Sequence, residues 1–395
     1  MKKLLLLTLG CTLAVVSCKK KPAEDPLDGL FKLEYTTQTV EQQKQTLEKE
    51  GVDFVKKLNT LPDEKFIDAI SHLSELNLEL GEPFSNILSI SKSAQRKDVK
   101  GIFIASTTIS EDKLSDSYGI YTWNSVTKDW DESPSTSKLE IRYPSSATQK
   151  TNNAIFTFSY VVSPIKTSEG GELPSSISSI LKVDGKEELK LSSTFTHKSN
   201  GTPTAADVNV LMGTFVFKAN ASNDGKNLTT QFSFLKGTEL LIGLTTNVSG
   251  NTNFDSNNDG DIVKNANATF EVMNIMLVGQ VDVKSLQIAN EASMDLPDAE
   301  RIKKEEAAWN KHARFVAINK KDNVTMARAV FVSTLDDYCY SFWTGSAFVD
   351  KCEKEYILEP QLIFKDGSKV NFESFIDNGF SQLRDELEDF GKRFK

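Results

Sequence analysis

The feature that most restricts this chain is a change of period. From about residue 98, apolar side chains recur at every second position instead of every third or fourth. Ala154, Phe156, Phe158, Tyr160 and Val162 alternate with smaller or more polar residues, and Leu228, Thr230, Phe232 and Phe234 repeat the pattern. Leu240, Ile242, Leu244, Thr246 and Val248 do so again. Successive side chains of a strand point to opposite faces, so this alternation reads as strands with one buried side. Between the runs stand Asp184-Gly185, Asn223-Asp224-Gly225 and Lys236-Gly237, the residue types of tight hairpin turns. Strands joined by short turns form an antiparallel meander, not βαβ units. The spacing predicts eight to ten strands between residues 98 and 290.

Helical patterns flank this region. Residues 37 to 59 place Val40, Lys44, Leu47, Phe54, Val55 and Leu58 near one face, the lysine contributing its aliphatic stem. Pro62-Asp63-Glu64 opens a second helix over 63 to 76, with Phe66, Ile67, Ile70, Leu73 and Leu76 as its apolar stripe. A third helix is predicted over 298 to 313, with Ile302, Trp309 and Ala313 inward. Strands resume at 314–319, 324–334, a cysteine hairpin and 356–365. The chain ends on Ile376, Phe380, Leu383, Leu387, Phe390 and Phe394, a narrow amphipathic stripe expected to dock on a sheet, with coiled-coil pairing as the alternative. The expected fold class is α+β: a large antiparallel β-meander, a curved sheet or half-barrel, packed by N- and C-terminal helices. Its parts are an N-terminal helical segment (31–97), the meander (98–290), and a region of helix, β-hairpins and C-terminal amphipathic helix (291–395) in the same or a second domain. Val208, Val210, Met212 and Val216 oppose Leu211, Phe215 and Phe217, so two apolar faces are expected. The terminal helices are the simpler cover for them and a hydrophobic ligand the alternative.

The N-terminus gives an address. Lys2 and Lys3 precede an uncharged apolar run from Leu4 to Val16. That run is shorter than the roughly 20 residues of a membrane-spanning helix but fits a secretory signal. Val15-Val16-Ser17-Cys18 resembles the lipobox of bacterial lipoproteins. The resemblance implies residues 1–17 as signal peptide, cleavage after Ser17, diacylglycerol on the Cys18 sulfur, and N-acylation. Cys11, after Thr8-Leu9-Gly10, is a rival that would leave only a short apolar run before it. Residues 18–30 are polar, contain Pro22 and Pro26, and read as a tether. The resulting expectation is a lipid-anchored protein of the outer membrane of a Gram-negative bacterium, facing either the periplasm or the exterior.

Charge excludes some partners. The chain carries a net charge of −9, which becomes −11 without Lys2 and Lys3. Nucleic acids and anionic membranes attract basic surfaces, so no nucleic-acid partner is expected. With 39% hydrophobic residues the chain can build a core.

Once Cys11 is removed and Cys18 lipidated, Cys339 and Cys352 remain, in an oxidising compartment. If Gly345-Ser346 is the turn, Thr344 faces Ala347, Trp343 faces Phe348, and Cys339 faces Cys352. That pair falls on a non-hydrogen-bonded site, where Cα atoms approach to about 4.5 Å, inside the disulfide range. A metal pair is the alternative, but two cysteines with no nearby histidine make a weak zinc site.

Catalytic signals are sparse. The three histidines, His72, His197 and His312, are scattered, and no zinc-protease, nucleophile-elbow, C-x-x-C or phosphate-loop motif occurs. No enzyme is expected. Asp255, Asn257, Asp259 and Asp261, with Gly260, match the opening of a calcium loop, although Ala266 stands where a bidentate carboxylate belongs. Calcium is the only cofactor considered; a polar inter-strand connection explains the same residues. Tyr121, Trp123 and Trp130 form a candidate sugar platform, against cross-strand packing. The expected function is a non-catalytic binding or scaffolding module with a protein or glycan partner in the envelope. The alternatives are a carrier of a hydrophobic ligand such as a lipid in a half-barrel cavity, and a glycan-binding surface lipoprotein.

Overall fold

A computed structural model describes residues 27–76, 78, 114–167, 170–252, 263–377 and 379–393. Sixteen strands form one open sheet. They begin with β1 (Gly119–Asn124), β2 (Asp129–Pro134), β3 (Leu139–Tyr143), β4 (Ala154–Lys166) and β5 (Glu172–Val183). The centre holds β6 (Lys186–His197), β7 (Pro203–Met212), β8 (Phe215–Asn223), β9 (Asn227–Lys236), β10 (Glu239–Gly250), β11 (Val263–Val272) and β12 (Ile275–Asp282). Then come β13 (Ala313–Asn319), β14 (Val324–Trp343), β15 (Phe348–Ile363) and β16 (Lys369–Asn371). Each strand from β3 to β16 pairs antiparallel with its sequence neighbour; β1 alone pairs in parallel, with β3.

The fold is α+β, as the periods require. The strand count is higher than expected: twelve strands lie between 119 and 282. Short strands such as β3, and serine-rich β5, carry too little apolar alternation to stand out. Nor does the sheet stop near 290. Val278 of β12 pairs with Val316 of β13, so the intervening helices are an excursion from one continuous sheet. Residues 324–334 and the first arm of the cysteine hairpin are one strand of 20 residues, β14.

The expectation of two apolar faces in β7 and β8 is overturned by the turn between them. Gly213-Thr214 sets Met212 opposite Phe215, Leu211 opposite Val216 and Val210 opposite Phe217. Residues of even number in β7 therefore share a face with residues of odd number in β8. Val208, Val210, Met212, Phe215 and Phe217 lie together, and only Leu211 and Val216 lie opposite.

The long N-terminal helices sit on that apolar side. Helix α1 is Asp28–Phe31, α2 Val40–Leu58, α3 Lys65–Glu75, α4 Val283–Glu291, α5 Asp298–His312, α6 Phe372–Asp377 and α7 Ser381–Lys392. A capping box opens α2: Gln42 N donates to Thr39 Oγ1 (3.3 Å) and Thr39 N to Gln42 Oε1 (2.9 Å). From there α2 crosses the strands near their turn end, with Val40 and Leu47 over Ala327 and Phe364. Phe54 and Leu58 pack on Phe215, Leu241 and Met273. Phe66, Ala69 and Leu73 of α3 then close a core over Leu139, Ile141, Tyr143, Phe156 and Leu181.

Three side chains spaced seven apart fasten this strap to successive turns. Glu50 accepts from Asn274 Nδ2 (3.0 Å) in the β11–β12 turn, and Lys57 pairs with Glu239 (2.5 Å) in the β9–β10 turn. Glu64 accepts from Thr214 N (3.1 Å) in the β7–β8 turn. From Glu50 to Lys57 the helix rises about 10.5 Å, close to the roughly 9.6 Å between alternate strands; Glu64 lies beyond the end of α2, just before α3. The opposite sheet face is covered locally by α1, where Leu30 and Phe31 pack on Val278, Val316 and Ile318.

Only the start of the C-terminal stripe reaches the sheet, where Phe380 packs on the core of Ala327, Phe364 and Phe375. Phe380 is left-handed (φ 60°), which separates α6 from α7. Leu383 of α7 then packs against Gly51 of α2, and Gln382 N donates to Glu48 Oε1 (2.8 Å). The sheet end is already occupied by α2, so α7 forms a second layer outside it.

Close packing at one glycine gives a test. A Cβ on Gly279 would lie 2.8 Å from two ring carbons of Phe315, its cross-strand neighbour. Gly279→Val should lower stability by about 1–3 kcal/mol, read as a lower urea midpoint with an unchanged slope.

Candidate functional site: two apolar surfaces

Register across β7 to β12 aligns side chains in rows perpendicular to the strands. On the helix side, four consecutive positions on each of these six strands carry no charged residue. One row is made of small residues: Ala206, Ala221, Thr230, Thr246, Ala268 and Gly279. Thr230 and Thr246 hydrogen-bond each other through their hydroxyls (2.6 Å), leaving their methyl groups to line the row. Larger residues flank it: Phe232, Leu244, Phe270 and Leu277 on one side, Leu228 and Val248 on the other. The result is an apolar trough. Six strands span five intervals of about 4.8 Å, so it runs about 24 Å. Phe195 on β6 pairs with Ala206 at one end, and the Phe315 ring lies over Gly279 at the other.

Among the described residues, the large side chains of this part of the face lie outside the cores that the helices build, although α4 packs on β11 at one end. Phe217, Phe232, Leu244, Phe270 and Leu277 belong to none of the core clusters that the helices build. Phe270 is 40% and Leu277 46% exposed. The reverse face of the same strands is polar: Thr229 Oγ1 donates to Asn247 Oδ1 (3.1 Å) and Asn247 Nδ2 to Asn267 Oδ1 (3.0 Å). The same strands thus carry an open apolar area on one side and a hydrogen-bonded polar ladder on the other.

The second surface is an arm. β14 pairs with β13 only as far as Ala329, and β15 with β16 only from Gln361. Beyond these positions the two strands pair solely with each other, down to Trp343 opposite Phe348. Glu306 of α5 holds the root, accepting from Ser333 N (2.9 Å) and Oγ (2.5 Å). Those bonds keep its carboxyl below the ordinary glutamate range. From Leu335 to Trp343 the arm extends about 30 Å, and every residue of that stretch except Tyr340 is exposed. A free two-stranded ribbon is marginally stable in water. Here Cys339 and Cys352 form the expected disulfide across a directly opposed pair, with Cα atoms 4.0 Å apart. Thr344 N donates to Ala347 O (2.9 Å), closing the Gly345-Ser346 turn as read from the sequence.

Other predicted site residues fare differently. Trp123 and Trp130 are a cross-strand pair, edge to face with centroids 5.3 Å apart. Both pack, with Tyr121, on the core beneath α3, and Trp130 Nε1 donates to Leu76 O (3.0 Å). The three rings are half-buried and spend their faces on that core instead of forming a flat surface platform. Cys18 and the calcium-loop residues Asp255, Asn257, Asp259 and Asp261 lie outside the described residues. Among the described residues no group of three or more His, Cys, Asp or Glu could hold a metal. His72 approaches Glu75 (3.1 Å), and His197, its pKa lowered by burial, leaves Nδ1 without a partner. Two shallow polar hollows lie near Gln38 and Gln42 and near Asn223 and Asp224.

The small-residue row escaped sequence reading because it exists only once five hairpin registers are known. The arm did leave a signal: beyond Leu335, charge appears on both faces, as it does only in strands with no core to cover. Fold and surfaces together define an α+β protein built on one open sixteen-stranded meander with two exposed apolar surfaces. Compared with protein-family models, curated proteins and solved structures, the chain finds no match in any of the three.

The disulfide closes a short loop, worth about 3 kcal/mol by the chain-entropy argument. Replacing Cys339 and Cys352 by serine should speed hydrogen exchange in residues 335–356 at least tenfold. Exchange in β4 to β12 should not change, because the arm adds nothing to the core.

Proposed function

We propose that this is a non-catalytic binding protein of the bacterial outer membrane, held there by lipid on Cys18, and that its trough binds one extended acyl chain. The observation that carries this reading is the row Ala206 to Gly279: small, uncharged and walled by larger apolar residues, of which Phe270 and Leu277 are exposed. An acyl chain suits it in length, since one leaflet of a membrane's hydrocarbon layer is about 15 Å deep and the trough is longer. It suits it in chemistry too. The only polar side chains along the row are Thr230 and Thr246, already hydrogen-bonded to each other, so a sugar or a peptide backbone lying along it would lose most of its hydrogen bonds to water without replacing them. Each covered methylene contributes up to about 0.8 kcal/mol. Affinity is therefore set by chain length, up to about tenfold for every two methylenes.

Two measurements test the reading. Native mass spectrometry and solvent extraction of the purified full chain should recover an acyl species, and saturated fatty acids of increasing length should displace a fluorescent fatty-acid probe with rising affinity. Ala268→Trp, which fills the floor, should weaken probe binding at least about tenfold, about 1.4 kcal/mol, with thermal unfolding unchanged. Equal binding by this folded variant would remove the trough from the account. For the anchor, mass spectrometry of the mature N-terminus should find Cys18 as the first residue, carrying diacylglycerol; a free thiol there would refute it.

A further inference from the structure

We infer that the tip of the disulfide-braced arm enters the interfacial layer of a lipid bilayer. This surface is separate from the acyl trough and does not rest on it. Residues 341–349 carry no charge and include Phe342, Trp343, Phe348 and Val349. Trp343 is 57% and Phe348 73% exposed. Register puts Phe342 with Val349 on one face of the ribbon and Trp343 with Phe348 on the other, their rings 5.1 Å apart. The tip is thus apolar all round. A strand that docks on a protein presents one apolar face and keeps the other wet. A tip apolar on both faces suits a medium that surrounds it.

Depth argues the same way. The first charged residue behind the tip is Asp350, opposite Ser341, which donates its hydroxyl to that carboxylate. From there to the turn are three residues, about 10 Å of strand, which matches the roughly 5–10 Å to which apolar groups sink at a membrane surface. Tyr338 and Tyr340 come next, stacked along one face with centroids 5.6 Å apart, at the level where tyrosine and tryptophan collect in membrane interfaces. Behind them the ribbon is charged on both strands, as a water-filled approach demands. Within 335–356, Asp336, Asp337, Asp350, Glu353 and Glu355 outnumber Lys351 and Lys354. That balance selects a neutral lipid surface over an anionic one. The Cys339–Cys352 bond, four registers from the tip, keeps the strands from separating as the tip leaves water.

Tryptophan fluorescence in vesicles tests this on the full chain. The protein is reconstituted in phosphatidylcholine vesicles with bromine on the acyl chains, a short-range quencher. Trp123, Trp130 and Trp309 are half-buried on the sheet, so quenching should come from Trp343 and vanish in Trp343→Phe. Phe348→Asp, which retains Trp343 and changes only an exposed residue, should cut the quenching at least threefold with an unchanged circular dichroism spectrum. Exchanging half the lipid for phosphatidylserine at low salt should reduce it as well. Trp343 emission insensitive to brominated lipid, or quenching equal in Phe348→Asp, would overturn the inference. Ala268→Trp adds a fifth tryptophan in the trough, so it is paired with Trp343→Phe; quenching there would report the trough's ligand, and its absence would leave the tip result untouched.

Discussion

Every part of this molecule depends on the fastening of α2 and α3 to the hairpin turns at one end of the sheet. A meander of sixteen strands buries little on its own, because each strand touches only two neighbours and a single layer has two wet faces. The N-terminal strap supplies the second layer. It does so with a commensurate spacing: Glu50, Lys57 and Glu64 stand seven residues apart and meet the turns of three successive hairpins. From Glu50 to Lys57 hairpin period and helix rise agree to within about 1 Å, and Glu64, standing between α2 and α3, reaches the third turn after the helix has ended. Apolar contacts follow from that alignment, with Phe54 and Leu58 dropping onto Phe215 and Leu241 beside the polar fasteners. Polar groups at the turns set position, while burial of the aromatic and aliphatic side chains contributes most of the energy.

The strap also explains why apolar surface is left over. Running along one strand end, it covers the first row of β7 to β12 and leaves the next rows open. In a protein with no use for them those rows would be polar, as the opposite face is. There Asn247, Asn267 and Thr229 form a cross-strand hydrogen-bonded ladder that fixes register and faces water. The two sides of the same strands thus follow different rules, and register keeps them apart: even positions pair with odd across β7–β8, β8–β9 and β11–β12, but even with even across β9–β10 and β10–β11.

Much of this was readable before any coordinates. Period-two alternation with Gly-containing turns implied a meander, the apolar face over 37–59 implied α2, and Pro62-Asp63-Glu64 announced α3, which begins at Lys65. The Cys339–Cys352 pairing followed from counting outward from Gly345-Ser346, since register in a two-residue hairpin is a matter of arithmetic. What resisted reading was whatever needs several registers at once. Val208 and Phe217 share a face only because Gly213-Thr214 is two residues long, and the strand pattern alone gave them opposite faces. The C-terminal stripe was legible as a helix, but its partner was not, because a narrow apolar stripe fits a sheet or a helix equally. Gly51, which lets Leu383 approach α2, carries no signal of its own. Trp123 and Trp130 show the converse: the same two rings could stack on a sugar or on each other, and only the position of Leu76 decides.

The way the sheet ends bears on what kind of partner it can take. Unpaired strand edges invite another strand, and proteins that avoid this use charge, proline or short strands. Both edges here do so. β2 carries Asp129, Asp131, Glu132 and Pro134, and β16 is only three residues long and leads directly into α6. Strand addition is therefore obstructed at the edges of the sheet body, and the apolar surface that remains is on a face and at the tip of an arm. The trough lies on a sheet face, where the backbone groups are already paired, and the arm tip is capped by its turn, although the flanks of the arm keep open strand edges. The trough presents methyl groups and rings, and the arm tip presents rings around a closed turn. Surfaces of that kind gain little from a polypeptide backbone and most from hydrocarbon, which has no hydrogen bonds to lose. The same chemistry thus recurs at two separate places on a chain whose N-terminus resembles a lipid-attachment signal. A protein that handles or touches lipid at both is the reading that asks least of the remaining polar surface.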